Sequence, residues 1–292
     1  MADLADQMRD ILSQAGERLG LNVDDAELIR LHSNALFAFP TSRVVVRIPT
    51  KSGSAEDANA SLQVTHWLRR QGFPCVEPAA VAQPLILDGH AVSVWKHLTV
   101  VDRPAPTGSE LGQLLRVLHA CTGPAGLRPF GDPLIGVAHA ALEHDFPGRA
   151  WLIRRIDQLR DLWQTLDWWR PPGLIHGDAH PNNLMRLADG GLVLGDWDHT
   201  AIGPPEWDLV QLHYFHRRFG YPADQLKDFS TAYGWDLRDW SAIDDLIAIR
   251  ELHGLSPYIR TASTKPNAAT ELAYRVETLR TRDRSAPWGS ST

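Results

Sequence analysis

The spacing of hydrophobic and polar positions in the first third of the chain predicts two helices and several short strands. Apolar side chains recur every three or four positions over residues 4–19, which is the period of a helix with one buried face. A second helix is predicted over residues 55–70, where Gly72 and Pro74 end the pattern. Short apolar runs predict strands at residues 28–31, 35–39, 44–48, 81–87 and 91–95. This part of the chain therefore predicts a small unit that is rich in strands.

Helical spacing dominates the rest of the chain. A helix is predicted over residues 110–119, with Ser109 as its N-cap, and another is predicted over residues 149–168. The pattern from residue 207 to about residue 282 is mainly helical, and the tail over residues 284–292 is predicted to be frayed.

The change in pattern after His97 predicts two lobes in one α+β chain. The first lobe, over residues 1–97, carries the strands and ends in a hinge, whereas the second, over residues 98–292, is larger and mainly helical. A length of 292 residues allows two packed units, since domains average about 150 residues.

Composition and charge exclude several classes of protein. The 29 basic and 35 acidic residues give a formal net charge of −6, and no basic run is longer than a pair, so a nucleic-acid partner is not expected. No apolar run approaches the roughly 18 residues that span a bilayer. The acidic start MADLADQMRD does not resemble a secretory signal, and two cysteines are too few for a disulfide framework. We therefore expect a soluble, cytoplasmic monomer or homodimer without a membrane partner.

Side chains that bind metals and protons are concentrated between residues 175 and 208. They follow a short apolar run at residues 173–175. The set comprises His176, Asp178, His180, Asn183, Asp196, Asp198 and His199. Carboxylate and amide oxygens suit Mg²⁺, which completes its ligand shell with water and substrate phosphates. A further carboxylate, away from the metal, is then available to act on a hydroxyl group as a base or an orienting group.

This segment resembles a known family. The run HGDAHPNN, with Asp196 thirteen residues beyond Asn183 and GPPEWDL after it, resembles the aminoglycoside phosphotransferase and choline kinase-like family. That family has the two-lobed protein-kinase-like fold, and the resemblance covers most of the chain in order. It implies a Mg²⁺-dependent kinase that moves the γ-phosphoryl group of ATP or GTP to a hydroxyl group of a small molecule. The implied acceptors are aminoglycosides, amino sugars and amino alcohols.

The resemblance also implies roles for individual residues. Asp178 would be the catalytic aspartate, which accepts a hydrogen bond from the acceptor hydroxyl group. Asn183 and Asp196 would hold Mg²⁺ on the triphosphate, and Asp208 would support the catalytic loop from the helix that follows. For Asp198, contact with a second metal ion and a capping role both stay open.

The third predicted strand departs from the family pattern. Arg47 stands where the family has a nucleotide-binding lysine; arginine keeps the charge and binds phosphate in a bidentate geometry. The next helix has Ser61 and Gln63 near the position of the family's paired glutamate, and the nearest glutamate is Glu56. The usual ion pair is therefore absent, displaced or rebuilt around Arg47 and Glu56. Alternatively, Arg47 is an exposed strand residue without a nucleotide.

Two further segments resemble nucleotide-binding parts of the family. Ser33 and Asn34 lie between two predicted strands, at the position of the nucleotide-binding loop. Lys96 and Leu98 lie at the position of the hinge, whose backbone would meet the adenine ring. Both segments act mainly through backbone groups, so their side chains carry little signal.

Two other functions compete with the kinase. A nucleotide-binding pseudoenzyme of the same fold would explain Arg47 and the missing glutamate, whereas the complete set Asp178, Asn183 and Asp196 favours turnover. A metallohydrolase would leave Asn183 and the strand-rich lobe without a role. Its zinc or two-metal cluster would consist of His176, Asp178, His180, Asp196 and His199.

Several acidic side chains in the predicted helical half are candidates for binding the acceptor. They either receive a cationic acceptor or form a solvated helix face. The set comprises Glu206, Asp224, Asp228, Asp236, Asp239, Asp244, Asp245 and Glu251.

Overall fold

The computed structural model describes residues 2–52 and 55–289. The chain forms two compact units, each built from segments that are separated in the sequence. The first unit comprises Met1–Pro106, Gly123–Leu127 and Asn182–Thr200. The second unit comprises Thr107–Thr122, Arg128–Pro181 and Ala201–Thr292. The first unit thus contains more than the lobe predicted over residues 1–97, because a later segment of the chain returns to it.

The described residues form ten α-helices and nine β-strands. The helices are α1 (Ala2–Leu19), α2 (Ala55–Arg70), α3 (Gly108–Leu118), α4 (Ile135–Glu143), α5 (Arg149–Thr165), α6 (Glu206–Phe219), α7 (Ala223–Tyr233), α8 (Ile243–His253), α9 (Ser256–Thr261) and α10 (Pro266–Arg280). The strands are β1 (Glu27–Leu31), β2 (Asn34–Phe39), β3 (Val44–Pro49), β4 (Leu85–Leu87), β5 (His90–Lys96), β6 (Gly173–Ile175), β7 (Leu184–Arg186), β8 (Leu192–Leu194) and β9 (Ala201–Gly203). The predicted α+β class is confirmed.

An antiparallel sheet organises the first unit. Its strands lie in the order β1-β2-β3-β5-β4, so β3 is central. Side chains alternate between the two faces along a strand, and Val46 and Ile48 of β3 are fully buried on one face. Arg47 therefore lies on the opposite face, paired in register with Leu36 of β2 and Ser93 of β5. The alternation puts the one charged residue of β3 outside the apolar core.

Helix α1 packs against the apolar face of this sheet. Met8, Ile11, Leu12 and Ala15 are buried among core side chains of β2, β3 and β5. Burying one large aliphatic side chain stabilises a fold by about 1.5–3 kcal/mol. The spacing of these four positions is the pattern that predicts a helix over residues 4–19, and the helix is confirmed.

A hairpin of β7 and β8 returns to the first unit. Leu194 exchanges backbone hydrogen bonds with the segment after α2, donating to Pro74 O at 3.0 Å and accepting from Val76 N at 3.1 Å. On the other strand, Arg186 O accepts from Val101 N at 2.8 Å. The hairpin is therefore bonded on both sides to chain that precedes it by about a hundred positions.

The second unit is mainly helical, with one pair of short strands. β6 pairs with β9 in antiparallel register, and Ile175 lies opposite Ala201. Helices α3 and α7 lie close together because Gly108 and Gly112 have no Cβ atom; a Cβ on Gly112 would collide with the carbonyl oxygen of Phe229. Among the described residues, no helix is both long enough and apolar enough to cross a membrane.

Three predicted boundaries differ from the structure. The N-cap of α3 is Thr107, not Ser109, since Thr107 forms a capping box with Glu110. The strand predicted over residues 81–87 is limited to β4, because Pro84 cannot donate to a strand ladder. The helix predicted over residues 149–168 ends at Thr165, with an extended backbone at the next residue.

The tail is packed rather than frayed as far as residue 289. Trp288 is 5% exposed, and its backbone amide donates to Arg218 O at 2.7 Å. The guanidinium groups of Arg218 and Arg275 lie 4.6 and 4.7 Å from the centre of the Trp288 ring. Residues 290–292 of the predicted tail lie outside the described residues. A large aromatic side chain therefore anchors a segment whose composition resembles a loose terminus.

Candidate active site

The loop after β6 is held by the first turn of α6. His176 and Gly177 both donate backbone hydrogen bonds to the carboxylate of Asp208, at 2.7 Å each. Gly177 has a φ of 87°, which glycine adopts without a steric penalty. Trp207 donates from Nε1 to the carbonyl oxygen of Gly177 at 3.0 Å. These contacts fix the backbone next to Asp178 and fit the support that the resemblance implies for Asp208.

Asp208 stays ionised although it is 1% exposed. Burial alone raises the pKa of its carboxyl group, but the hydrogen bonds and charges of His119 and His176 together outweigh that effect and hold the pKa below its ordinary value. His119 Nε2 lies 3.1 Å from Asp208, and His119 Nδ1 lies 3.0 Å from the hydroxyl group of Tyr233. A buried chain of polar groups therefore runs from α7 through α3 to the loop.

Asp178 is held through one of its carboxylate oxygens. Arg250 of α8 donates from Nη2 to Asp178 Oδ1 at 2.7 Å, and Gln211 of α6 donates to the same oxygen at 3.4 Å. His180 Nε2 lies 3.7 Å from Asp178 Oδ2. The side chain of Asp178 is 34% exposed. Donors from two helices thus orient a carboxylate that solvent can reach.

The β7–β8 hairpin brings Asn183 and Asp196 to one end of a two-stranded ladder. Leu184 pairs with Leu194, and the amide of Gly195 donates to the carbonyl oxygen of Asn183 at 2.9 Å. Asp196 follows directly, with a φ of 60° in the left-handed region that aspartate adopts less readily than glycine. Strand pairing therefore places these two oxygen-bearing side chains at the same end of the hairpin.

Arg47 forms an ion pair with Asp198, two positions beyond Asp196. Its Nη2 donates to Asp198 Oδ2, and its side chain is 14% exposed. Ser61 of α2 donates to the carbonyl oxygen of Trp197 at 3.2 Å and contacts Asp198 Oδ1 at 3.4 Å. Strand β3, helix α2 and the segment after β8 meet at this pair.

The acidic partner of Arg47 is therefore Asp198 and not Glu56. Glu56 is exposed at the start of α2. The turn that carries Asp198 is anchored by Trp197, which is 2% exposed and donates from Nε1 to the carbonyl oxygen of Leu194 at 3.0 Å. The ion pair is thus not rebuilt with Glu56: Arg47 pairs with a carboxylate from a distant segment, which was not predicted from the sequence as its partner. Arg47 is not an exposed strand residue.

Ser33 and Asn34 lie at the turn between β1 and β2. Ser33 is exposed, whereas Asn34 is 7% exposed at the start of β2. Thr50, directly after β3, donates its backbone amide to the carbonyl oxygen of Ser33 at 2.9 Å. The turn is thus attached to the end of the strand that carries Arg47.

Lys96 and Leu98 lie at the end of β5. The side chain of Lys96 pairs with Glu77, and its backbone amide donates to the carbonyl oxygen of Glu77 at 2.8 Å. The hydrogen bond from Lys96 lowers the pKa of Glu77. An adenine ring would take a hydrogen bond from the Lys96 amide only by displacing Glu77. Leu98 is half-buried two positions further along, and its role at a nucleotide stays a prediction.

Comparison with known proteins decides the family. A family model described as the phosphotransferase enzyme family matches residues 28–246, which is more than half of the chain. The chain belongs to the phosphotransferase enzyme family. The matched part begins in β1 and ends in α8, so it contains the loop with Asp178, the hairpin with Asn183 and Asp196, and Arg47. No curated protein sequence matches the chain.

Solved structures of several kinases share the fold of this phosphotransferase. Amicoumacin kinase hAmiN, in complex with AMP-PNP, Ca²⁺ and Ami, is 13% identical with a TM-score of 0.69, and the match covers 91% of either chain. Choline kinase LicA from Streptococcus pneumoniae is 15% identical, with a TM-score of 0.67 over 93% of this chain and 99% of that one. APH(2")-IIia, in complex with GDP and kanamycin, is 16% identical, with a TM-score of 0.63 over 88% and 93%. The fold is therefore protein-kinase-like, as the resemblance implies.

The side-chain chemistry of Asn183 and Asp196 is compatible with Mg²⁺. Asn183 and Asp196 offer one amide oxygen and one carboxylate oxygen, and Mg²⁺ in proteins takes one or two carboxylates together with waters and substrate phosphates. Within residues 2–52 and 55–289, no three side chains of His, Cys, Asp or Glu are grouped to hold a metal ion. The donor chemistry at the hairpin thus fits a metal that arrives with a nucleotide.

Arg250, Gln211 and His119 take part in the site, although the sequence did not point to them. Arg250 stands one helical turn after the buried Leu246 on α8, and His119 stands one turn after the buried Leu115 of α3. A charged or polar residue on the apolar face of a helix is the feature of the sequence that could have pointed to them, because such side chains are rarely buried without partners. Their partners lie far away in the sequence, so the signal does not name them.

Proposed function

We propose that this phosphotransferase is a Mg²⁺-dependent kinase, which moves the γ-phosphoryl group of ATP or GTP to a hydroxyl group of a small molecule. The observation that carries the proposal is the hairpin that brings Asn183 and Asp196 together within the residues matched to the family. An amide and a carboxylate at this spacing suit a metal ion bound to phosphates. The oriented carboxylate of Asp178 supplies the complementary group for a hydroxyl acceptor.

Asp178 accepts the hydrogen bond of the acceptor hydroxyl group and receives its proton as the oxygen attacks the γ-phosphorus. The new O–P bond forms on the acceptor while the bond to the β,γ-bridging oxygen breaks, and the nucleoside diphosphate leaves with that electron pair. Because the transition state is loose, positioning of the hydroxyl group contributes more than the strength of the base. The loop bonded to Asp208 supports such positioning.

The first unit supplies the groups for the nucleotide. Asn183 and Asp196 hold Mg²⁺, which offsets the negative charge of the phosphates when it is bound. Arg47 binds phosphate oxygens through the fork of its guanidinium group, while Asp198 holds that group in place.

The nucleotide-binding loop and the hinge remain as the sequence predicts. The turn with Ser33 and Asn34 lies over the phosphates, and the chain at Lys96 and Leu98 contacts the base. Both the side chain and the backbone amide of Lys96 are bonded to Glu77, so contact of the Lys96 amide with the base requires displacement of Glu77, and the backbone at Leu98 is the other recognition element in this proposal.

The acceptor in this proposal carries amino groups, as an aminoglycoside, an amino sugar or an amino alcohol does. Half of the acidic side chains considered for such an acceptor are already bonded within the second unit. The bonded members are Glu206 with the Arg170 amide, Asp236 with Arg238, Asp244 with Arg217 and Glu251 with Arg218. The remaining candidates for contact with ammonium groups are Asp224, Asp228, Asp239 and Asp245.

A thermal-shift titration followed by a transfer assay tests the proposal. ATP and GTP are added with and without Mg²⁺, and the responding nucleotide is then offered with kanamycin, choline and amicoumacin as acceptors. We expect a Mg²⁺-dependent rise in Tm, because a ligand that binds the native state stabilises it. Asp178→Asn should keep this rise and lose transfer by about 10²–10⁴-fold, the range that general acid–base groups contribute.

Each alternative function has its own outcome. A Mg²⁺-dependent rise in Tm would indicate a pseudoenzyme if the protein neither transfers the phosphoryl group nor hydrolyses the nucleotide. Zinc in the purified protein with no response to either nucleotide would indicate a metallohydrolase. If Asp178→Asn transferred the phosphoryl group at the wild-type rate, Asp178 would have no role in catalysis.

A further inference from the structure

Arg250 is a charged side chain buried beside the loop that carries Asp178. It is 4% exposed, and its Nη2 donates to Asp178 Oδ1 at 2.7 Å. Its Nη1 is also buried and has no hydrogen-bond partner among the described residues. A buried guanidinium group that is only partly satisfied costs stability, so its place in the fold calls for a reason other than packing. Arg250 also lies beyond residue 246, where the match to the family ends.

The guanidinium group of Arg250 is held in place by an aromatic ring. Its central carbon lies 4.7 Å from the centre of the Trp207 ring, a distance that is typical of a cation–π contact. Trp207 in turn donates to the carbonyl oxygen of Gly177, which precedes Asp178. Arg250, Trp207, Gly177 and Asp178 therefore form a closed ring of contacts. Movement of Arg250 on its own would break two of them.

Two side chains donate to the same oxygen of Asp178. Gln211, one turn after Trp207 on α6, donates to Oδ1 at 3.4 Å, whereas Arg250 reaches Oδ1 from α8. Two helices thus restrict rotation of the carboxylate about the bond that joins it to the side chain. The side chain of Asp178 is nevertheless 34% exposed, so an acceptor can approach it.

We propose that Arg250 is a positioning residue for phosphoryl transfer, which holds the carboxylate of Asp178 in the orientation that receives the acceptor hydroxyl group. This proposal rests on the proposed function. A misplacement of about 1 Å at a reacting group lowers the rate by about 10²-fold, because the reaction depends on alignment of the attacking oxygen. The planar guanidinium group, stacked on Trp207, imposes an orientation that a flexible ammonium group does not.

A matched control exists elsewhere in the same unit. Arg218 is 2% exposed, its guanidinium carbon lies 4.6 Å from the centre of the Trp288 ring, and it pairs with Glu251 at 2.6 Å. It thus shares the burial, stacking and ion pair of Arg250 but does not contact the loop with Asp178. A purely structural role would make the two arginines equivalent.

The test compares steady-state kinetics of Arg250→Met, Arg250→Lys, Arg218→Met and Asp178→Asn. MgATP and MgGTP serve as donors, kanamycin, choline and amicoumacin as acceptors, and release of inorganic phosphate to water is followed in parallel. We expect Arg250→Met to lower kcat by about 10²-fold and to leave the KM for nucleotide within about twofold. Arg250→Lys should recover only part of kcat, and Arg218→Met should lower Tm but leave kcat unchanged.

Chemical rescue separates positioning from stability. Low-millimolar guanidinium chloride should raise kcat of Arg250→Ala, whereas sodium chloride at the same ionic strength should not. If Arg250→Met does not fold, as judged by loss of the nucleotide thermal shift, Arg250→Lys and the rescue decide the matter. The proposal would be overturned if Arg250→Lys kept the wild-type kcat and guanidinium did not rescue Arg250→Ala. It would also be overturned if Arg250→Met and Arg218→Met lowered kcat equally. Wild-type activity in Asp178→Asn, or no turnover by the wild-type chain, would overturn the proposed function instead.

Discussion

Arg47 joins strand β3 to a segment of the first unit that lies far along the chain. A guanidinium group has five donors in a planar fork, so one edge can pair with a carboxylate while another meets a ligand. In the structure, one edge pairs with Asp198, and Ser61 contacts the same carboxylate. Because Asp198 lies two positions after Asp196, the pair ties Arg47 to the segment that, in the proposed function, would hold the metal.

Replacement of Arg47 tests its role at the nucleotide. We expect Arg47→Ala to raise the KM for MgATP or MgGTP by about 10-fold or more, because a charge-assisted hydrogen bond contributes about 1.5–3 kcal/mol. Glu56→Gln is the matched control on α2 and should leave that KM unchanged, since Glu56 is exposed and is not the partner of Arg47. Steady-state kinetics at varied nucleotide and saturating acceptor provide the measurement. An unaltered KM in Arg47→Ala would show that Arg47 has only a structural role.

The sequence singles out candidate site residues where their spacing is local, but it does not identify contacts between distant segments. The spacing of Asp178, Asn183 and Asp196 is contained in one short segment, so the motif identifies all three together. The partner of Arg47 is 151 positions away, and Arg250 reaches Asp178 across 72 positions. Such pairs depend on how elements pack, and hydrophobic periodicity gives no information about them.

At the scale of single elements, start signals were present in the sequence but were ambiguous. Thr107 and Ser109 are both good N-cap residues, yet only Thr107 has a glutamate three positions later, as the capping box requires. Thr107 Oγ1 accepts from the amide of Glu110 at 3.3 Å, and Glu110 accepts from the amide of Thr107 at 2.9 Å. The reciprocal pair, rather than the residue type alone, sets the start of α3.

The capping box of α3 can be measured directly. Thr107→Ala should lower the free energy of unfolding by about 1 kcal/mol, the usual loss when a threonine N-cap is replaced. Ser109→Ala, two positions further along, should change it by less than about 0.5 kcal/mol, because Ser109 is inside the helix. Urea denaturation followed by circular dichroism reports both values. Equal effects of the two substitutions would mean that Ser109 is the N-cap after all.

At the scale of the whole molecule, arginines of the second unit are used mainly to bind other parts of the chain. Arg217 and Arg218 of α6 pair with Asp244 and Glu251 of α8, and Arg218 also donates to carbonyl oxygens of the C-terminal segment. The formal charge of −6 therefore does not describe the interior, where opposite charges are matched. Helix α8 also carries Arg250, which contacts Asp178, so the same helix holds both a set of structural ion pairs and a contact with the loop after β6.

His213 makes the second unit sensitive to acid. It is 5% exposed on α6, and burial lowers its pKa to about 4 from 6.5. Nearby charges act in both directions, the attraction to Asp236 raising the pKa and repulsion by other groups lowering it; those groups are Arg238, His216 and Arg217. Its Nε2 has no hydrogen-bond partner among the described residues. The fold therefore keeps the imidazole neutral, while the unfolded chain binds a proton below pH 6.5.

This difference in proton binding sets the sign of the pH dependence. Between pH 6.5 and about pH 4 the unfolded state holds more protons at His213, so the free energy of unfolding falls as the pH falls, by up to about 3 kcal/mol. The free energy of unfolding of the wild-type chain should fall between pH 7 and pH 5, and His213→Leu should make this fall smaller by about 2 kcal/mol. Urea denaturation at both pH values provides the measurement. His139→Gln, at an exposed position on α4 of the same unit, is the control, since His139 is not among the charges that act on His213; it should leave this pH dependence as it is in the wild-type chain. A wild-type pH dependence in His213→Leu would mean that protonation of other groups destabilises the fold in this range.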